Sequence, residues 1–401
     1  MPIFVVDNLD QYVVDESGNF VVVRAKANPT ALIDPETLDA YDDSLYALEV
    51  VTPAGQLIAD ITQITPDFGY ALRRNRAESI TLDVDLTNAM DLASDYRLTL
   101  WELFAGYRNE IRIRRGNRYL LGGQITYAEP SLSADSRTLQ VRAAGFMDLF
   151  ATRYLLPTGN PGGVTTFTGT DIGQIIWSMI QTSQALPNGN FGVTLGAIQT
   201  SRPLTDTWQP FATSLSDIFQ AITERINSVD IAFSYDKKLY VYAPGIGTDK
   251  PELRLGYPGN ITGISLPRDW TRTVNYAINR GSGNGTDVTP IQTRQDIASQ
   301  ASYGVRMRID DYPDVSVTST LNDYGDESLR RDASGSTIPK VTLNGGLEPQ
   351  LGAYWLGDRV RFSVEDEAFA LIDGRSWRID EIAVQVNAEH GENITLQVGY
   401  S

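Results

Sequence analysis

The sequence predicts a mainly β protein with an α+β insertion. Two β-barrel domains, over residues 44–156 and 259–401, flank a small helix-plus-hairpin module at 157–258, and an N-terminal arm and linker take up residues 1–43. Three patterns predict this arrangement. Between 66 and 156, apolar residues recur at every second position in short runs broken by turns, the period of strands with one face buried. From 171 the period lengthens to that of helices with one apolar face, and a hairpin follows. From 359 to 398 the period of two returns.

In the arm, Tyr12–Val14 and Phe20–Val23 flank the polar stretch Asp15–Asn19 and read as a small hairpin. Pro29 to Ser44 follows, with Asp34, Glu36, Asp39, Asp42 and Asp43. These acids lack the Asp/Asn and Gly spacing of a calcium loop, so the stretch reads as a solvated linker. In the first β domain Ile80, Leu82, Val84 and Leu86 alternate with Thr81, Asp83 and Asp85. Ile111 and Ile113 alternate with Arg112 and Arg114, and Leu139 and Val141 with Gln140 and Arg142. The run closes on an apolar helical turn at Phe146, Met147, Leu149 and Phe150, as a helix capping a small barrel would. In the module, Ile172, Ile175, Ile176, Met179 and Ile180 share a helix face that Trp177 widens. A second helix is expected from Leu215 through Ile218, Phe219, Ile222, Ile226 and Val229, opened by a Ser214-x-x-Asp217 capping box. A hairpin, Ile231–Tyr235 and Leu239–Tyr242, turns at Asp236–Lys238. In the last domain Val360, Phe362 and Val364, then Ile379, Ile382, Val384 and Val386, then Ile394, Leu396 and Val398 predict antiparallel hairpins around a turn at Asn387–Glu392.

Several of these parts, in this order, resemble the hub proteins of phage tails, the baseplate hub or tail-associated family. The first barrel carries an aromatic-Gly element at Phe68–Tyr70, an S-I-T-L-D-V strand, a short helical loop at Asn88–Ser94, a G-G-Q-I strand at Gly122–Ile125 and a V-R-A-A-G-F exit running to Leu155. The stretch SLSDIFQAITERINSVDIAFSYDKKLYVYAP is similar to the hub element in which a helix leads to a hairpin presenting charged turn residues. VNYAINRGSGNG, SYGVRMRIDD, LGDRVRFSV and the closing GRSWRIDEIAVQVNAEHGENITLQVGY follow in hub order. The resemblance covers residues 45–401. It implies tail-tube-like barrels and a homotrimeric ring in which six barrels surround the axis. Such a ring joins the tail tube or distal tail protein to tip or fibre proteins and encloses the tape-measure end and the DNA path. Hub barrels start near Leu45–Val51, so the arm is extra and is expected to dock on a neighbouring tail protein. The implied place is the tail tip of a virion, after synthesis in the bacterial cytoplasm.

Composition narrows the alternatives. Fifty acidic against 33 basic residues give a net charge of −17. That field repels phosphate, so no surface that grips nucleic acid is expected. The acidity serves solubility and, within a hub, would let DNA slide through the lumen without specific binding. With no cysteine, thiolate metal sites and a Cys nucleophile are out. The single histidine, His390, lies in an expected turn beside Glu389 and Gly391, which does not suit a catalytic base with a partner. Met1–Asp10 lacks the basic start of a signal peptide, and no apolar run reaches membrane-spanning length. With the chain ending at Ser401, fibres and hydrolases are expected on other chains.

Carboxylate pairs are the chemistry left over. Asp83 with Asp85, and Glu365 with Glu367, would each point to one strand face, where glycan cleavage needs two acids in a cleft. Alternating acids of this kind read as solvated. Gly281, Gly283 and Gly285 lack the helix and Lys-Ser/Thr of a phosphate loop and read as a turn. The N-x-T patterns at Asn260, Asn284 and Asn393 carry no meaning without a secretion signal. No catalytic, cofactor-binding or metal-ligating residue is therefore assigned. The alternative is a carbohydrate-binding or glycan-cleaving tail protein, with Trp208, Trp270 or Trp355 offering a sugar-stacking face.

Overall fold

The computed structural model describes residues 5–7, 10–14, 20–23, 46–133, 136–157, 165–225, 229–281, 290–312, 315, 317–370, 372, 374–389 and 391–400. The arm forms an antiparallel meander of β1 (Val5–Asp7), β2 (Asp10–Val14) and β3 (Phe20–Val23), the expected hairpin with one strand added. The acidic linker lies outside the described residues.

The first β segment runs through β4 (Tyr46–Val51), β5 (Leu57–Asp60), β6 (Asp67–Arg73), β7 (Ser79–Asp85), α1 (Leu86–Asp95), α2 (Leu100–Leu103), β8 (Glu110–Arg115), β9 (Arg118–Leu132) and β10 (Arg137–Gly145). In β7 the alternation holds: Ile80, Leu82 and Val84 are buried and Asp83 and Asp85 are exposed. Asp85 ends the strand by accepting the Asn88 backbone N–H and so caps α1. Strand β8 departs from the half-wet reading, because Glu110, Arg112 and Arg115 are buried along with Ile111 and Ile113. The module described next covers much of the face that alternation assigns to water.

That module begins at the 3-10 helix Phe146–Phe150 and continues through β11 (Thr165–Asp171), α3 (Ile172–Gln184), β12 (Thr194–Gln199), β13 (Pro203–Trp208), α4 (Leu215–Thr223), β14 (Asp230–Phe233) and β15 (Lys238–Tyr242). Ser214 caps α4 by accepting the Asp217 backbone N–H, as its spacing predicts. The helix is shorter than expected: it ends at Thr223, and Val229 is buried ahead of β14 instead of extending the helix face. Ile226 lies outside the described residues. Phe150, Ile176, Phe219, Ile222 and Val241 share the module's own core.

The last segment holds β16 (Asp249–Tyr257) and β17 (Ile261–Ser265), then an inserted unit, then four more strands. The unit contains β18 (Arg268–Asp269), β19 (Tyr276–Arg280), β20 (Ile291–Gln295), α5 (Ile297–Tyr303), β21 (Met307–Asp311), α6 (Thr318–Asp332) and β22 (Ser336–Thr337). After it come β23 (Lys340–Asn344), β24 (Arg359–Val364), β25 (Ser376–Val386) and β26 (Glu392–Tyr400). The closing antiparallel pair β25–β26 is as expected. The two helices and the parallel pairing of β19 with β21 interrupt what reads from sequence as hairpins alone.

The two β segments are one sheet. Thirteen strands join in the order β17-β23-β26-β25-β6-β7-β10-β9-β8-β4-β5, with β24 on β25 and β16 on β24. Strand β25 makes the connection. Its first residues, Ser376–Arg378, pair with β24, and after an irregularity between Ile379 and Glu381 its remainder pairs with β6 in the register Ala383 to Ala71. A single hydrophobic cluster runs beneath, from Leu48, Ile80 and Val141 to Phe362, Ile382 and Leu396. Among the described residues no pairing brings β5 or β17 round to close a barrel.

Candidate functional site

The seam between β6 and β25 is where the two β segments of the chain join into one sheet. Because directly paired residues share a sheet face, the registers place Asn344, Asn393, Gln385, Gly69, Thr81 and Arg142 in one row across six strands. A parallel row runs Thr342, Thr395, Ala383, Ala71 and Ser79. This face is polar, small and amide-rich, while Ile382, Val384, Leu72 and Leu82 point the other way into the core. Charges of both signs are interspersed on it: Arg142 stands in the first row, Lys340 lies level with Glu381 and Arg73, and Glu129 is level with Asp83. Arg73 and Glu381 pair across the seam at 3.1 Å, and Asp67 lies opposite Asp83.

Three polar joints fix the seam and the module. At the first, Asp230 of the module is 3% exposed and meets both β segments. Its Oδ1 accepts from Arg74 and from Asn75, each at 2.8 Å, and its Oδ2 accepts from Arg378 and from the Ile246 N–H. Arg74 also donates to Asp380 Oδ1 at 2.7 Å, and its backbone N–H binds the Asp380 carbonyl in the irregular stretch of β25. Burial opposes ionisation of Asp230, but Arg74 and Arg378 outweigh it and hold the carboxyl below the usual range.

At the second joint, the β14–β15 hairpin rests on β8 and β9. Lys237 has a φ of 65° and does not project from the turn. It is buried, donating to Glu110 Oε1 at 2.7 Å and to the Pro53 carbonyl at 2.6 Å. Tyr235 stacks on Tyr119 with ring centroids 4.2 Å apart, and Arg112 lies over the Tyr235 ring. The strand beneath needs glycine here: a Cβ on Gly122 would lie 2.5 Å from the Tyr235 carbonyl oxygen. The expectation of charged residues presented at this turn is thus corrected for Lys237, which is an anchor.

The third joint ties the first segment to the last. Glu392 accepts from Tyr46 at 2.6 Å and pairs with Arg115 at 2.8 Å, while the Tyr46 and Tyr70 hydroxyls meet at 3.0 Å. Burial and the neighbouring carboxylate push both tyrosines well above their ordinary range. Beside this joint lies a half-open cavity of about 360 Å³, lined by Arg115, Asn344, Gln350, Asn387 and Glu392. Its one carboxylate is already engaged.

The residues weighed for chemistry fall as follows. Asp83 and Asp85 are exposed on one face of β7, and Asp85 is occupied as a helix cap. Glu365 and Glu367 do not share a strand face, because β24 ends at Val364 and Glu367 opens a 3-10 helix. His390, Asn284, Gly283 and Gly285 lie outside the described residues. Asn260 is buried, donating to the Glu348 carbonyl and accepting from the Gly256 N–H. Trp208 is buried, Trp355 packs against the core, and Trp270 alone of the three is largely exposed. They form no common stacking face. Among the described residues no group of three or more His, Cys, Asp or Glu could hold a metal, and no helix is long and apolar enough to cross a membrane. Sequence reasoning missed Asp230, Arg74, Arg378, Glu110 and Lys237. Their only signal is charge inside or beside apolar runs.

No family model matches the chain, and no curated protein matches its sequence. Solved structures do match. The 43 kDa tail protein of prophage MuSo2 from Shewanella oneidensis is 15% identical, with 88% of this chain and 98% of that one covered at a TM-score of 0.58. The tail protein from Neisseria meningitidis MC58 is 10% identical over 88% and 96%, with a TM-score of 0.57. The prophage tail protein gp18 from Listeria monocytogenes EGD-e is 13% identical over 88% and 94%, with a TM-score of 0.51. The chain has the fold of these tail proteins over nearly their full lengths.

Proposed function

We propose that the chain is a structural part of the tail tip of a phage or phage-like particle. In this reading it is a homotrimeric hub ring that joins the tail tube or distal tail protein to tip proteins and encloses the tape-measure end and the DNA path. The observation that carries the reading is the continuous sheet across β25 and β6, with a polar, amide-rich face on one side and a single core on the other. Such a face suits a wall along which a polyanion passes without being held, because its amides and hydroxyls make no lasting ion pair with phosphate, Arg73 is paired with Glu381, and Asp67, Asp83 and Glu129 repel phosphate. Two β segments per chain let three chains present six units around an axis. Likeness of fold to prophage tail proteins supports a place in a virion tail, and the reading includes synthesis in the host cytoplasm before assembly. The role is mechanical: ionic joints hold the segments rigid, and the arm docks on a neighbouring tail protein.

Immunogold labelling of particles from the source strain, with antibody against the purified chain, tests this. Label is expected at the tail end farthest from the capsid. Absence of label from intact and partly disassembled particles would overturn the reading and move attention to polysaccharide binding and cleavage. For the arm, loss of particle assembly is expected on deletion of residues 1–43, and normal assembly would remove its docking role.

A further inference from the structure

The half-open cavity beside Glu392 is lined for hydrogen bonding and for little else. At about 360 Å³ it stands at the small end of ligand sites, which run from about 300 to 1,000 Å³. Four of its lining side chains are amides, Asn344, Gln350, Asn387 and Asn393, and no aromatic or aliphatic side chain lines it among the described residues. The turns on either side fix how two of the amides point. Asn344 Oδ1 accepts the Gly346 N–H at 3.0 Å, and Asn387 Oδ1 accepts the N–H groups of Glu389 and Gly391 at 3.0 and 2.7 Å. With both oxygens tied into turns, the Nδ2 groups are left as donors, and neither they nor the Asn393 amide has a partner among the described residues. Gln350 supplies the complement, because its Oε1 is a buried acceptor with no partner there. The two charged lining residues, Arg115 and Glu392, are paired with each other at 2.8 Å, and Arg115 also donates to the Leu351 carbonyl. Strand β26 lies between β23 and β25, with Asn393 paired to Asn344 on one side and to Gln385 on the other. No sheet edge is therefore open at this level for an added strand.

We propose that this cavity binds one neutral, polyhydroxylated ring, a single sugar unit of a glycan, and holds it without cleaving it. Charge argues against ions, since a cation would meet the Arg115 guanidinium and an anion the Glu392 carboxylate. Polarity argues against an apolar ligand, which would strip water from amides and offer them no hydrogen bond. A flat base would need a ring to stack on, and none lines the cavity. What fits is a ligand with hydroxyls on every side, because a hydroxyl both accepts from an asparagine Nδ2 and donates to Gln350 Oε1. Cleavage would need two carboxyl groups, and only Glu392 lines the cavity, already paired. The inference stands apart from the ring reading, since it concerns the cavity wherever the chain sits in a particle.

Saturation-transfer NMR on the purified full chain tests this, with glucose, galactose, mannose and N-acetylglucosamine each titrated to about 50 mM. Saturable transfer to at least one of them is expected, with a Kd of about 1 to 10 mM, because hydrogen bonds without a stacking ring bind weakly. Two variants assign the binding to this cavity. Asn344→Asp with Asn387→Asp keeps the oxygens that the turns need and removes both Nδ2 donors, while Gln350→Met keeps the chain length and removes the acceptor. Each is expected to weaken binding about tenfold with an unchanged unfolding midpoint, and if the double variant unfolds early, Gln350→Met decides alone. No saturable transfer to any of the four sugars overturns the proposal, as does equal affinity in wild type and Gln350→Met. Tighter binding of glucose 6-phosphate, or of the peptide acetyl-Gly-Asn-Gly-amide, overturns it too, because the ligand would then be charged or peptidic. Tail-tip label with no sugar binding would sink this inference alone. Sugar binding lost in the variants, with no tail label, would sink the hub reading and leave the site standing.

Discussion

Asp230 is the residue on which the three segments converge, and its energetics follow from what surrounds it. The carboxylate is buried between Arg74, which belongs to the first β segment, and Arg378, which belongs to the last. Replacing one partner of a buried ion pair strands the others, so Asp230→Ala is expected to cost about 3 kcal/mol in urea unfolding at pH 7. Its folded carboxyl ionises below the unfolded value of about 3.9, so its stabilisation is present above that pH and is lost as pH falls through the folded value. The gap between wild type and Asp230→Ala should therefore shrink in strong acid, and a gap of equal size there would rule out ion pairing as its source. Glu78, between β6 and β7, has the opposite sign. Burial pushes its carboxyl up to about 7, so it stabilises fully below its unfolded value and loses that contribution as pH rises through the folded one. Glu78→Gln should be more stable than wild type at pH 8 and indistinguishable from it at pH 4. Equal stability at both would show that Glu78 ionises normally.

Among the elements, the β14–β15 hairpin shows how a local motif becomes a fastening. Its tip buries Lys237 against Glu110, and burial drives Glu110 upward although Lys237 opposes the shift. Lys237→Met should destabilise by about 3 kcal/mol, and adding Glu110→Gln should restore part of the loss, because the second change removes the stranded charge. Strict additivity of the two changes would show that the pair is not coupled. The hairpin itself was legible in sequence, since two strands of alternating residues around a polar turn have few other solutions. Its docking was not, because a lysine in a turn looks the same whether it meets water or a carboxylate 127 positions away in the chain. Helix α6 was missed for a related reason. Its buried face is built from Thr320, Leu321, Tyr324, Gly325 and Ser328, too polar a stripe to stand out as amphipathic. Strand alternation in β7, β10, β24 and β26 was read correctly because each has one continuous apolar face. The pairing of β25 with β6 joins positions some 310 residues apart, and no local period encodes it.

At the level of the whole molecule, stability should be uneven, and the unevenness follows from where apolar surface is buried. The continuous sheet shares one large cluster from Leu48 to Val398, whereas the inserted unit has Val315, Leu321 and Tyr324, with Tyr312 and Ala221 packed beside them. Arg225 ties the unit to the module by donating to the Tyr324 hydroxyl and lying over the Trp208 and Tyr324 rings. A unit with so small a core, and with one sheet face uncovered among the described residues, opens at lower free energy than the sheet it is inserted into. Native-state hydrogen exchange on the isolated chain should therefore show amides of Tyr276–Arg280 and Met307–Asp311 exchanging well before those of Glu381–Val386 and Ile394–Val398. Equal protection of both groups in the isolated chain would mean that the unit draws its stability from the main core and does not open separately from it.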